Sequence, residues 1–141
     1  MQRVKFDPAR LADFELVVEV GEVFSEEGMS RARLNGQGRL TVEQQGGHEK
    51  ERTRQFHGEL DPNTTEKLLR QASQFDWERS FPSRKGLPDE AIVQWSLHDR
   101  QGEALTVKVW LRDAEKDQVM APVLAELRRG VQRATDGSIY L

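Results

Sequence analysis

Three stretches of this chain alternate apolar and polar residues with period two. Phe14, Leu16, Val18 and Val20 share one parity, with Glu15, Val17 and Glu19 between them. Val93, Trp95 and Leu97 repeat the pattern, as do Leu105, Val107, Val109 and Leu111. Successive side chains of a strand point to opposite faces of a sheet, so this alternation specifies strands with one buried and one wet face. Every further element must therefore help to cover a single apolar sheet face.

The other segments fit that demand. Residues 31–34 and 39–45 read as strands joined at Asn35-Gly36-Gln37-Gly38, with Leu34, Leu40 and Val42 facing inward. Asn-Gly is a strong hairpin signal because both residues tolerate positive φ. Residues 49–60 form a polar strand whose large apolar residue is Phe56, and such a strand belongs at a sheet edge. Asp61-Pro62 opens a helix, since Asp caps well and Pro is favoured at the first helical position. Leu68, Leu69, Ala72 and Phe75 follow at helical spacing. Residues 78–90 read as a loop with Pro82, Gly86 and Pro88, and Asp99-Arg100-Gln101-Gly102 as a turn. Met120, Val123, Leu124, Leu127 and Val131 form the stripe of a last helix. Proline disrupts a helix interior by about 3 kcal/mol. Pro122 therefore predicts that this helix begins near Ala121, with residues 114–119 a separate turn.

The order is four strands, a helix, two strands and a helix. Short turns imply antiparallel neighbours, and segregated helices indicate an α+β fold. The expectation is a mainly antiparallel sheet of about six strands with two helices packed on one face. Residues 1–12 form a lead-in arm, 13–134 the domain and 135–141 a tail. Phe14, Leu16, Val18, Val93, Trp95, Leu97, Val107, Val109, Leu124 and Leu127 are the predicted core. Ile139, Tyr140 and Leu141 are too apolar for a frayed end and are predicted to dock on the domain or on a second copy.

Most chemistries find no footing. The 141 residues include no cysteine, which excludes disulfides, thiolate metal sites and cysteine nucleophiles. No apolar run reaches the roughly 18 residues of a membrane span, and residues 1–8 lack the apolar stretch of a signal peptide, so the expected location is cytoplasmic. His48, His57 and His98 form no pair at metal-binding spacing. Gly36-Gln37-Gly38 has no following helix to supply a phosphate-binding dipole. Arg31, Arg33, Arg39, Lys50, Arg52 and Arg54 make a basic set, with Lys108 and Trp110 on the polar face of the last strand. Interleaved Glu15, Glu19, Glu43, Glu49, Glu51 and Glu59 and the net charge of -3 speak for cross-strand pairs rather than nucleic acid. No enzyme activity, cofactor, metal or membrane partner is expected.

The ten residues 21–30 exceed what a tight hairpin needs and carry Val23, Phe24 and Met29 among glutamates. Two readings stand: these residues tuck under the sheet as a satellite core, or they anchor a protein partner with Arg31 at the edge. Trp77 and Phe81 pose the same choice, with packing against the first helix expected for both. Together Gly21, Phe24, Ser30-Arg31, Gly38-Arg39-Leu40-Thr41-Val42, Leu68-Leu69 with Phe75, Pro88-Asp89, and Pro122 with Leu124 and Leu127 carry a resemblance. Over residues 13–131 the chain resembles the emfourin-like family, small bacterial inhibitors of thermolysin-like metallopeptidases. The resemblance implies an inhibitor whose partner is a peptidase. The chain departs from the family at the loop, which is glycine-rich there and carries Glu22, Glu26 and Glu27 here.

The leading expectation is a non-enzymatic protein-binding domain, with Val23, Phe24, Met29 and Arg31 in its partner surface. The rival is a small-molecule or peptide-binding module with its site between sheet and helices. A filled sheet–helix interface favours the first, and a cleft lined by convergent polar groups favours the second.

Overall fold

In the computed structural model the described residues are 7–21, 28–46, 53–81, 90–139 and 141. A short 3-10 helix, Pro8–Asp13, leads into β1 (Glu15–Gly21), β2 (Met29–Asn35), β3 (Arg39–Gln45) and β4 (Thr53–Glu59). Then come α1 (Pro62–Ser73), β5 (Ile92–His98), β6 (Ala104–Trp110), α2 (Leu111–Lys116) and α3 (Met120–Thr135). The strands form one antiparallel sheet in the order β4-β3-β2-β1-β5-β6. The polar strand β4 stands at an edge, as its composition predicts.

Register aligns the alternating residues into rows across the sheet. Val18 stands opposite Ala32 on one side and Trp95 on the other, and the row runs on to Val42, Phe56 and Val107. Leu16, Leu34, Leu40, Leu97 and Leu105 form the next row on the same face. Helices cover this face. Leu68, Leu69 and Ala72 of α1 and Met120, Val123, Leu124, Leu127 and Val131 of α3 are fully buried in one cluster with it. All ten predicted core residues belong to that cluster. At about 25 cal/mol per Å² of apolar surface, this burial is the main stabilising term.

The helix starts follow from local chemistry. Asp61 caps α1, accepting hydrogen bonds from the Thr64 N–H and hydroxyl, each at 2.8 Å. Those two bonds, the N–H first, hold its carboxyl below the ordinary value of 3.8. Ahead of α3, the Asp117 carboxylate accepts from the Val119 and Met120 N–H groups at 2.9 Å. Pro122 then falls in the first turn, where an N–H has no intrahelical acceptor anyway. Two expectations change here. Leu111 does not end the last strand; its N–H donates to the Ala91 carbonyl at 2.9 Å, and the chain turns at once into α2. Residues 111–116 are helical, and the turn predicted for 114–119 shrinks to the three residues between α2 and α3. Among the described residues, the six-residue α2 thus joins the two expected longer helices, α1 and α3, against the antiparallel sheet of this α+β fold.

The two described hairpins share one device. Asn35 accepts from the Gln37 and Arg39 N–H groups at 3.0 Å. Asp99 does the same for Gln101 at 2.9 Å and Glu103 at 3.0 Å. Each turn closes on a left-handed glycine, Gly38 at φ +87° and Gly102 at φ +83°. The positive φ expected at Asn35-Gly36 thus falls at Gly38, and Asn35 acts through its side chain as an Asx turn. The tail is docked: Ile139 and Leu141 are buried in the core, and Arg128 donates to the Leu141 carbonyl at 2.8 Å. Tyr140 lies outside the described residues.

Candidate functional site

The face turned away from the helices carries the other parity of every strand. One row reads Gln55, Glu43, Arg31, Glu19, Gln94 and Lys108 from edge to edge. Arg31 sits between two carboxylates, 3.0 Å from Glu19 and 3.6 Å from Glu43. The three side chains are about a quarter exposed, so the pairs are partly shielded from solvent. Of the expected partner residues, Arg31 is on the open face, but its charge is already matched by its neighbours.

Met29 lies on the same face at the end of β2, half-buried, opposite Gly21 and Gln45. Ile92 and Trp110 are cross-strand partners at the same end of the sheet and of the same parity as the outward residues. An apolar strip of Met29, Ile92 and Trp110 therefore crosses this end, with Gly21 in its middle. Phe81 joins it, its ring centroid 5.0 Å from that of Trp110 and its surface 41% exposed. This corrects the expectation for Phe81, which does not pack on α1. Trp77 does: it is buried 5.4 Å from Phe75, and its indole N–H donates to the Ala72 carbonyl at 3.1 Å.

Val23 and Phe24 lie outside the described residues. The segment that holds them leaves β1 at Gly21 and rejoins β2 at Gly28, at the same end as the strip. Residues 82–89 follow Phe81 and return before Ile92, again at that end. Sequence reasoning placed Trp110 on the polar face but missed Phe81, because no local pattern signals a contact between distant parts of the chain.

The remaining candidates are dispersed. His57 is exposed on the edge strand β4, and His98 is on β5, on the other side of the sheet's centre. The basic set divides between faces: Arg33 and Arg39 point outward. Arg54 instead lies over the Phe56 ring at 5.5 Å and reaches the Ser138 carbonyl at 3.4 Å. Lys50 and Arg52 lie outside the described residues.

Between sheet and helices the contacts are apolar. The buried Thr65 and Thr135 hydroxyls donate to the carbonyls of Asp61 and Val131 and so are satisfied within their own helices. Among the described residues the buried Trp95 indole N–H has no hydrogen-bond partner, and its ring is edge-on to Phe75 at 4.9 Å. Among the described residues, no group of three or more histidines and carboxylates converges. An open depression at Arg129, Gln132, Arg133 and Asp136 lies on the outer side of α3. None of the described helices is long and apolar enough to cross a membrane. Compared with protein-family models and with curated proteins, the chain matches none.

Proposed function

We propose that this chain is a non-enzymatic protein-binding domain that docks its partner at the loop end of the open sheet face. The observation that carries this reading is the aromatic pair Phe81–Trp110, set beside Met29 and Ile92 at the end of the sheet where β1 ends and β2 and β5 begin. A few aromatic residues supply most of the energy of an interface. The sheet beneath fixes the strip, which lowers the ordering cost of binding. The apolar sheet–helix interface further favours this reading over a small-molecule site between the layers.

The partner class comes from the resemblance to emfourin-like inhibitors, which supports a thermolysin-like peptidase. The test is titration of such peptidases with the protein. A stoichiometric loss of activity is expected, and Phe81→Ala should weaken it by roughly ten- to a hundredfold. Full peptidase activity with excess protein across several such enzymes would remove the inhibitor reading. Unchanged inhibition by Phe81→Ala would move the docking surface elsewhere.

A further inference from the structure

The sheet has two edges of different character. In the β5–β6 ladder, Asp99 donates to the Glu103 carbonyl at 3.0 Å and Leu111 to that of Ala91 at 2.9 Å. Hydrogen-bonded pairs alternate along an antiparallel ladder, so they fall on the odd residues. The even residues Ala104, Thr106 and Lys108 therefore direct their backbone N–H and C=O groups away from β5. All three residues are exposed, and among the described strands none lies beyond β6. At the other edge the corresponding β4 residues are Thr53, Gln55, His57 and Glu59, in a strand that also contains glycine. Charged and glycine-interrupted edges resist pairing. The edge strand β6, Ala-Leu-Thr-Val-Lys-Val-Trp, carries one charge and is otherwise suited to pair.

We infer that β6 is a self-pairing edge, and that its occupant is β6 of a second copy of this chain. The pairing is antiparallel about a two-fold axis at Thr106. Each Thr106 then stands opposite its counterpart, and each Lys108 stands opposite an Ala104. The two ammonium groups are kept apart, and threonines opposite one another form a favourable cross-strand pair. On the helix side Leu105 meets Val107, so the half-buried leucine is covered. The same row serves both copies, as an isologous interface requires. Pairing merges the two open faces into one, with a docking strip from each copy. The inference does not depend on the partner proposed above.

The absence of cysteine makes the register directly testable. In a hydrogen-bonded antiparallel pair the Cα atoms are about 5.5 Å apart, within the roughly 4.4–6.8 Å that a disulfide spans. Thr106→Cys should therefore give a covalent dimer under mild oxidation. Ala104→Cys should not, because its counterpart lies four residues along the strand, about 14 Å away. In sedimentation the unmodified protein should gain mass with concentration. Thr106→Pro, which removes an outward N–H and the hydroxyl 3.4 Å from that of Ser96, should remain a folded monomer. Thr106→Lys, which sets two like charges opposite each other, should do the same and serves if the proline variant does not fold. The inference is overturned by a protein that stays monomeric to about 1 mM, the weak limit of specific association. It is equally overturned if both cysteine variants cross-link alike, or if the dimer survives Thr106→Lys.

Discussion

On β1, Leu16 and Val18 face the helices and are fully buried, while Glu19, one residue further on, faces outward and meets Arg31. The same contrast holds across the sheet. The covered face is held by shape and exclusion of water: Trp95, Leu34, Leu40 and Val42 are enclosed by α1 and α3. The open face is held by neighbours within the sheet, as in the row that runs from Gln55 to Lys108. Among the described residues, Phe81 lies against this face at Trp110, while the row through Arg31 is about a quarter exposed. The lesson is that parity along each strand separates residues held by the helices from residues held by their neighbours within the sheet.

The largest expected effect lies on the covered side. Leu124→Ala should cost about 2–5 kcal/mol, as truncated buried leucines do. A urea midpoint unchanged in that variant would remove α3 from the core and dissolve the contrast. The turns show the same contrast at smaller scale. A Cβ at Gly38 would lie 2.4 Å from the Leu60 carbonyl oxygen, whereas one at Gly102 would meet nothing within 4 Å. Left-handed backbone alone costs a residue with a Cβ about 1–2 kcal/mol. Gly102→Ala should show that cost, and Gly38→Ala clearly more. Equal losses in chemical denaturation would mean that the β2–β3 turn is not pressed against Leu60.

On the open face the effects shrink. Arg31→Met leaves Glu19 and Glu43 facing each other, and should cost about 1 kcal/mol, the upper range for partly exposed pairs. Raising the salt concentration should reduce the difference between variant and parent. A loss of several kcal/mol, insensitive to salt, would put Arg31 in the structural class of the covered side. The smallest effect concerns pH. The Asp61 carboxyl titrates lower in the folded protein than its ordinary 3.8, so its stabilising contribution is complete above that pH. It is lost as pH falls through the lowered native value. Asp61→Asn keeps a capping oxygen without the charge, so melting temperature should fall less steeply with acid in that variant. Parallel acid profiles would assign the sensitivity to other carboxylates.

The alternation of β1, β5 and β6 was legible because burial on one face writes itself into a strand with period two. Asp61-Pro62 and Pro122 were legible for a similar reason: helix starts depend on backbone donors within a few residues. Phe81 was not, since its contact with Trp110 depends on how the chain passes from α1 to β5. The setting of Arg31 between Glu19 and Glu43 needed the register of three strands, although their opposite charges were visible as a tendency to pair. Leu111 continued the parity of β6 and so read as strand, yet the chain bends into α2 there. Parity reports which face a residue takes, not where the ladder stops. The expected surface at Val23 and Phe24 falls in residues not described, so only Met29 and Arg31 have a position on the open face.

The place of β1 in the sheet also bears on how the molecule forms. Glu15 stands opposite Asn35 on one side and His98 on the other. Within β1 to β4 each pairing joins neighbours in the chain, and β5 likewise pairs with β6. Among the described strands, the β1–β5 seam is the one pairing that joins distant parts of the sequence. Closing so long a loop carries an entropic cost before any contact compensates it, and such pairings slow folding. If the two ribbons form first and meet late, the barrier lies at that seam. Substitutions beside it, at Val18 or Trp95, then slow folding, whereas those whose contacts form only after the seam has closed mainly speed unfolding.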